Sequence, residues 1–175
     1  TVGGGLRTID DIKAALRSGA DKVALNTAAV ERPALIREAA ETFGQQCIVI
    51  SVQAMLRQGN KWEVYTDNAR EASGRDVMDW IKEAETLGAG EILLTSVNQE
   101  GSRRGFDIQL IEEARNHLTI PLISCGGAGT TEHVVSAVRQ GGADAVCCAS
   151  IFHYNTLPIE ELKDSMSAGG IAVRL

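Results

Sequence analysis

Apolar positions along this chain gather into short runs, separated by longer stretches in which they recur every three or four residues. The runs predict strands over Ala20–Leu25, Cys47–Gln53, Glu91–Ser96, Ile120–Cys125 and Ala143–Ala149, with a strand stub at Thr1–Val2. The helical period predicts Ile9–Arg17 behind a Thr8 cap, then Pro33–Phe43, Val77–Leu87, Ile108–Asn116, Glu132–Gln140 and Pro158–Ala168. Strands that alternate this regularly with helices form a parallel sheet, because each helix carries the chain back to start the next strand beside the last.

The period of two within strands also assigns faces. Ile48, Ile50 and Val52 alternate with Cys47, Val49, Ser51 and Gln53, so the first set is expected to meet helices and the second the interior axis. The same parity turns Lys22, Ala24 and Asn26 inward, and likewise Glu91, Leu93 and Thr95. Lys22 and Glu91 then sit at the floor, and Asn26, Gln53 and Thr95 at the opposite rim. Two segments interrupt the alternation. Residues 55–73 predict a hairpin with a Gly59–Asn60 turn and a second strand at Lys61–Thr66, followed by a polar run, all within one long loop. Val97–Asp107, with Gly101 and Gly105, is the second long rim loop.

The segment Thr1–Thr27 returns without a gap as Ser124–Ser150, pairing Gly3 with Gly126, Gly4 with Gly127, Thr8 with Thr131, and Gly19-Ala20-Asp21 with Gly142-Ala143-Asp144. Each copy reads as strand end, glycine turn, helix, strand, then a polar turn holding Thr27 or Ser150. A glycine turn beside a hydroxyl-bearing turn lets backbone N–H groups converge on an anion without Cβ interference, so two copies imply two phosphate cradles. A two-fold object on this repeat length reaches about 250 residues, the size of a (β/α)₈ barrel, and the six strands here correspond to its units three to eight. Residues 1–175 therefore read as a single partial (β/α)₈ barrel domain of the α/β class. Thr1 already lies in a strand-to-turn segment, and the chain is expected to be cut at its N-terminus. An incomplete barrel exposes parallel strand edges, through which such a chain is expected to self-associate.

Composition narrows the function. A chain that is 44% hydrophobic and 23% charged suits a globular domain. No run approaches the roughly 20 apolar residues of a membrane span, and no signal-like leader is visible, so no membrane partner is expected and the location is expected to be cytoplasmic. A net charge of −6 without a Lys/Arg cluster argues against nucleic acid, although Arg103-Arg104 suits a small anionic substrate. Cys47, Cys125, Cys147 and Cys148 form no CxxC spacing and read as buried reduced thiols. His117, His133 and His153 have no i, i+4 pairing, so neither a metal nor another cofactor is expected.

The strings TVGGG, GADKVALNTAAV, GAGEILLTS, EGSRRGFD, CGGAG and GADAVCCASIFHY, in this order over essentially all residues, resemble the cyclase subunit of imidazole glycerol phosphate synthase. The resemblance implies a (β/α)₈ lyase of histidine biosynthesis that pairs with a glutaminase. Ammonia crosses the barrel axis and attacks a formimino carboxamide ribonucleotide carrying a phosphate at each end. It further implies Gly4, Gly5, Asn26 and Thr27 for one phosphate, and Gly101, Gly126, Gly127, Ala149 and Ser150 for the other. Lys22 and Glu91 match the family's charged gate at the ammonia entrance, and Asp21 a position near the glutaminase contact. The sister isomerase barrel shares the two cradles, but the LTSVNQEGS loop and the SIFHY turn fit the cyclase side.

The catalytic positions depart from the family. Its two aspartates end the first and fifth barrel strands; the first falls outside this sequence, and the second falls on Gln53. An amide hydrogen-bonds but does not exchange protons near neutral pH as a carboxylate does. Asn98 and Glu100 stand where aspartates are usual, leaving Gln53, Thr95 and Glu100 as the candidate catalytic set. Two readings follow: a cyclase, inactive as this fragment alone, or a non-cyclising paralogue of the surface-polysaccharide branch. The paralogue would dock a glutaminase and conduct ammonia to a sugar-amidating enzyme.

Overall fold

A computed structural model of the chain describes residues 1–59 and 61–174. The strands are β1 (Val2–Gly3), β2 (Val23–Leu25), β3 (Ile48–Arg57), β4 (Lys61–Thr66), β5 (Glu71–Asp76), β6 (Glu91–Ser96), β7 (Leu122–Cys125) and β8 (Ala145–Cys147). The helices are α1 (Ile9–Arg17), α2 (Thr27–Glu31), α3 (Ala34–Phe43), α4 (Val77–Thr86), α5 (Ile108–His117), α6 (Thr131–Arg139), α7 (Ser150–His153) and α8 (Ile159–Ala168). Six strands run parallel in the order β1-β2-β3-β6-β7-β8, a curled partial barrel with helices outside. The predicted fold class and strand order hold.

The apolar core lies between sheet and helices. Ile48, Ile50, Val52, Ile92, Leu94 and Leu122 from the strands are almost wholly inaccessible, as are Ile36 of α3, Trp80 and Ile81 of α4, and Leu110 and Ile111 of α5. Each such side chain contributes roughly 1.5–3 kcal/mol through burial. Ser51 and Gln53 are only half-buried, as the face assignment requires, whereas Val49 is closed off inside the barrel floor.

The second strands of both repeats begin later than the apolar pattern predicts, for one physical reason. The N–H of Ala20 donates to Ala15 O at 3.2 Å and that of Ala143 to Ala137 O at 3.1 Å, so the end of the preceding helix claims these residues. The caps break the repeat symmetry: Thr8 forms a capping box with Asp11, whereas α6 is capped by Thr130, one residue before the repeat partner of Thr8.

β3 is the branch point of the one sheet. Its first half pairs with β2 and β6, and its second half rises beyond the barrel to pair antiparallel with β4 from Gln53↔Tyr65 to Arg57↔Lys61. The predicted hairpin is therefore present, although Asn60 of its expected turn lies outside the described residues. The polar run after it corrects the loop expectation: Glu71–Asp76 is a third strand, β5. Its sequence lacks apolar alternation and its order comes from pairing, with Ser73 Oγ donating to Val64 O at 2.7 Å. No helix among the described residues is long and apolar enough to cross a membrane.

Candidate functional site at the barrel rim

The C-terminal ends of the strands converge on one row. Gln53 is the register neighbour of Thr95, Thr95 of Cys125, and Cys125 of Cys147, so four inward side chains from β3, β6, β7 and β8 stand side by side at the mouth. Glu100 joins them from the β6–α5 loop, its backbone lying over Gly126 and its charge raising the pKa of Cys125. The predicted catalytic set is thus brought together.

A cavity of about 540 Å³ opens beside Gln53, between the Gly4-Gly5 turn and the start of α2. Gly4, with φ +103, lines the cavity, and a Cβ there would meet nothing within 4 Å, so the turn is open to it. Asn26 Nδ2 donates to Ser51 O at 2.9 Å and to Tyr65 O at 3.3 Å, which ties the hairpin to the cavity wall. Thr27 Oγ1 donates to Asn26 Oδ1 and accepts from Asp67 N, both at 3.2 Å. The Asn26 amide therefore supports the cavity wall, and Thr27 sits at its edge beside Gly5.

The second turn differs in its surroundings. A Cβ on Gly127 (φ +102) would lie 2.0 Å from Gly105 O, and Gly105 N donates to Gly127 O at 2.8 Å, so this turn is closed against the β6–α5 loop. Gly101 occupies the same loop with φ +71, facing open space. Ala149 and Ser150 open α7 at the end of the neighbouring strand β8. The two cradles are equivalent in sequence but not in packing.

Gln53 itself is engaged: its Oε1 accepts from Ala69 N at 2.8 Å. That bond anchors a turn in which Asp67, Asn68 and Ala69 all have positive φ, a conformation that needs support from outside the turn. Asn98 Oδ1 accepts from Leu56 N at 2.8 Å and so braces the hairpin. Sequence reasoning missed Asp107, whose carboxylate accepts from Trp62 Nε1 at 3.3 Å, Ser96 Oγ at 3.2 Å and Leu110 N at 3.1 Å. Its position just before a helical run was the available signal.

The cysteines are free but not buried as expected: Cys147 is exposed and the other three are half-buried, because Cys125 and Cys147 face the barrel mouth rather than the helices. A hydrogen bond from the Cys125 thiol pulls Cys147 down to about 6. The same contact, with burial, pushes Cys125 well above the ordinary thiol range. Burial, with the Cys147 charge, pushes Cys148 up to about 11. At the floor, Lys22 Nζ is ion-paired with Glu91 Oε1, while Asp21 is exposed at the bottom edge. Among the described residues no three His, Cys, Asp or Glu side chains are grouped so as to hold a metal.

A parallel sheet curled about an inward-facing polar row, with helices outside and glycine turns at its strand ends, places the chain in the (β/α)₈ barrel class. A family model described as "Histidine biosynthesis protein" matches residues 1–158, and the chain belongs to that family. Two curated relatives, each named "Imidazole glycerol phosphate synthase subunit HisF", come from two strains of Leptospira biflexa serovar Patoc. Each is 49% identical over 176 residues, in an alignment that covers 100% of this chain and 69% of the relative. That likeness over the whole chain supports the cyclase subunit of the synthase, in histidine biosynthesis.

Proposed function

We propose that this protein is the cyclase subunit of imidazole glycerol phosphate synthase, a lyase that uses glutaminase-derived ammonia on a formimino carboxamide ribonucleotide with two phosphates. The observation that carries the reading is the rim itself: Gln53 lies in one cavity with the open Gly4-Gly5 turn, and a second glycine turn follows β7, farther along the same row of strand ends. One phosphate is held by Gly4, Gly5 and Thr27, with Asn26 keeping the wall in place. The other is held by Gly101, Gly126, Gly127, Ala149 and Ser150. The reacting atoms then lie over the row of Gln53 and Thr95, with Glu100 supplying a carboxylate from the β6–α5 loop. Ammonia enters from the glutaminase side through the Lys22–Glu91 floor, beside a docking edge that includes Asp21. The complex works in the cytoplasm. The 175 residues alone, with six barrel strands, are inactive and self-associate through β1 and β8.

Gln53 favours a second reading. A carboxamide in the place of the family's aspartate, already bonded to Ala69 N, suits a barrel that docks a glutaminase and passes ammonia to a sugar-amidating enzyme without closing a ring. A steady-state assay of the full-length protein with ammonium and the two-phosphate ribonucleotide separates the two. Formation of imidazole glycerol phosphate supports the cyclase. Glutaminase activation on mixing, with no product from that ribonucleotide, supports the conduit, and absence of both removes both.

A further inference from the structure

We propose that Cys125 and Cys147 are a peroxide-sensing dithiol at the barrel mouth, joined on oxidation in a cross-strand disulfide that constrains the second phosphate turn. The two residues are register neighbours on β7 and β8, on the same inner face of the sheet. Adjacent strands lie about 4.8 Å apart. A disulfide needs Cα atoms roughly 4.4–6.8 Å apart and Cβ atoms about 3.8 Å apart, so the Cα spacing of register neighbours is in range and the side chains close the remaining gap on oxidation.

The pair also has the division of labour a redox sensor needs. Cys147 stands on the outer strand of the row with its thiolate favoured by the neighbouring thiol, while Cys125 is half-buried on the strand beside it. A low-pKa accessible cysteine next to a resolving one is the general form of such sites. Cys148 follows directly in sequence but lies on the opposite face of the strand end, and its raised pKa makes it a poor competitor. Cys47 lies before β3, at the opposite end of the barrel.

The chemistry balances with a hydroperoxide as oxidant. The Cys147 thiolate attacks the O–O bond, forming a sulfenic acid and releasing hydroxide, which takes up a proton to give water. The Cys125 sulfur then attacks the sulfenic sulfur. The S–S bond forms, the S–O bond breaks, and the second oxygen leaves as water with the Cys125 proton. Two thiols lose two electrons in all, and the peroxide gains them.

The consequence follows from position. Cys125 immediately precedes Gly126-Gly127, and Cys147 lies two residues before Ala149. A covalent bond between them fixes the two halves of the second cradle relative to each other, while the Gly4-Gly5 turn is untouched. This consequence rests on the phosphate reading; the disulfide does not.

The test treats the reduced full-length protein with hydrogen peroxide, blocks remaining thiols with a maleimide, and reads intact mass and linked peptides. The expected result is loss of two hydrogens, a Cys125–Cys147 cross-linked peptide, and reaction of Cys147 roughly ten-fold faster than Cys47. Cys147→Ser should leave Cys125 fully labelled, and Cys125→Ser should leave a sulfenic acid at Cys147 that dimedone traps. Four labelled cysteines after peroxide, a Cys147–Cys148 link, or only intermolecular links would overturn the proposal. Binding of inorganic phosphate, compared between reduced and oxidised protein, tests the consequence separately. One of two sites should weaken by roughly ten-fold, the effect of losing one charge-assisted hydrogen bond. A formed disulfide with both phosphate sites unchanged would refute the coupling to the cradle.

Discussion

Gln53 stands in the inward row at the rim, bonded to a turn that rises over the mouth. Its carboxamide gives the rim a hydrogen-bonding group but no proton to exchange, and its Oε1 is committed to Ala69 N. Gln53→Asp is expected to raise ammonia-dependent turnover by about 10²-fold, the lower end of what a positioned acid or base supplies. Initial rates under saturating ammonium check this, and an unchanged rate would mean that the missing carboxylate does not limit the reaction. Gln53→Ala removes the anchor of the Asp67–Ala69 turn and should cost about 1 kcal/mol, read as a lowered melting temperature. Gln53→Glu, which keeps the reach and the acceptor oxygen, should recover that stability.

At the scale of elements, the repeat sets two glycine turns in equivalent places and the packing makes them unequal. Gly4→Ala meets no neighbouring atom, so it should cost roughly 1–3 kcal/mol from its positive φ alone while removing phosphate binding at that turn. Gly127→Ala adds a clash with Gly105 O and should be the more destabilising, displacing the Val97–Asp107 loop. Denaturant melts of the two variants, compared directly, check the order. The α1 cap supplies a pH signature. Hydrogen bonds from the Arg7 N–H, the Thr8 hydroxyl and the Thr8 N–H lower the pKa of Asp11 below its ordinary 3.8. A lowered folded-state pKa stabilises above the ordinary value, and that stability is lost as pH falls through the folded one. Asp11→Asn should therefore lower the melting temperature near neutral pH, by a margin that shrinks below about pH 4. Thr8→Ala should cost about 1 kcal/mol.

For the molecule as a whole, the floor and the rim are separate devices on one sheet. Lys22 and Glu91 form a partly exposed ion pair, 34% and 18% accessible, so Lys22→Met should change stability by less than about 1 kcal/mol. If the floor admits ammonia, the same variant should alter glutamine-driven turnover far more than turnover with added ammonium, and equal effects on both would exclude the gate. Much of this layout was legible beforehand. The alternation of apolar runs gave the parallel sheet, strand parity gave the inward row, and the internal repeat located both glycine turns. Each of these depends on side-chain periodicity, which is local. Where long-range pairing overrode local preference, reading failed. Glu71–Asp76 is a strand only because β4 lies beside it, and Cys125 and Cys147 are accessible only because their face of the sheet lines the barrel mouth. By itself the sequence determined the fold class, the family and the residues present at the rim, since these follow from composition, order and spacing along the chain. Only the tertiary structure decided which of those residues are free to act. It commits Gln53, Asn26 and Asn98 to holding the hairpin, closes one glycine turn against a loop while leaving the other open, and sets two thiols side by side. Hydrogen bonds and close approaches between segments distant in sequence fix those outcomes, and no local pattern encodes them.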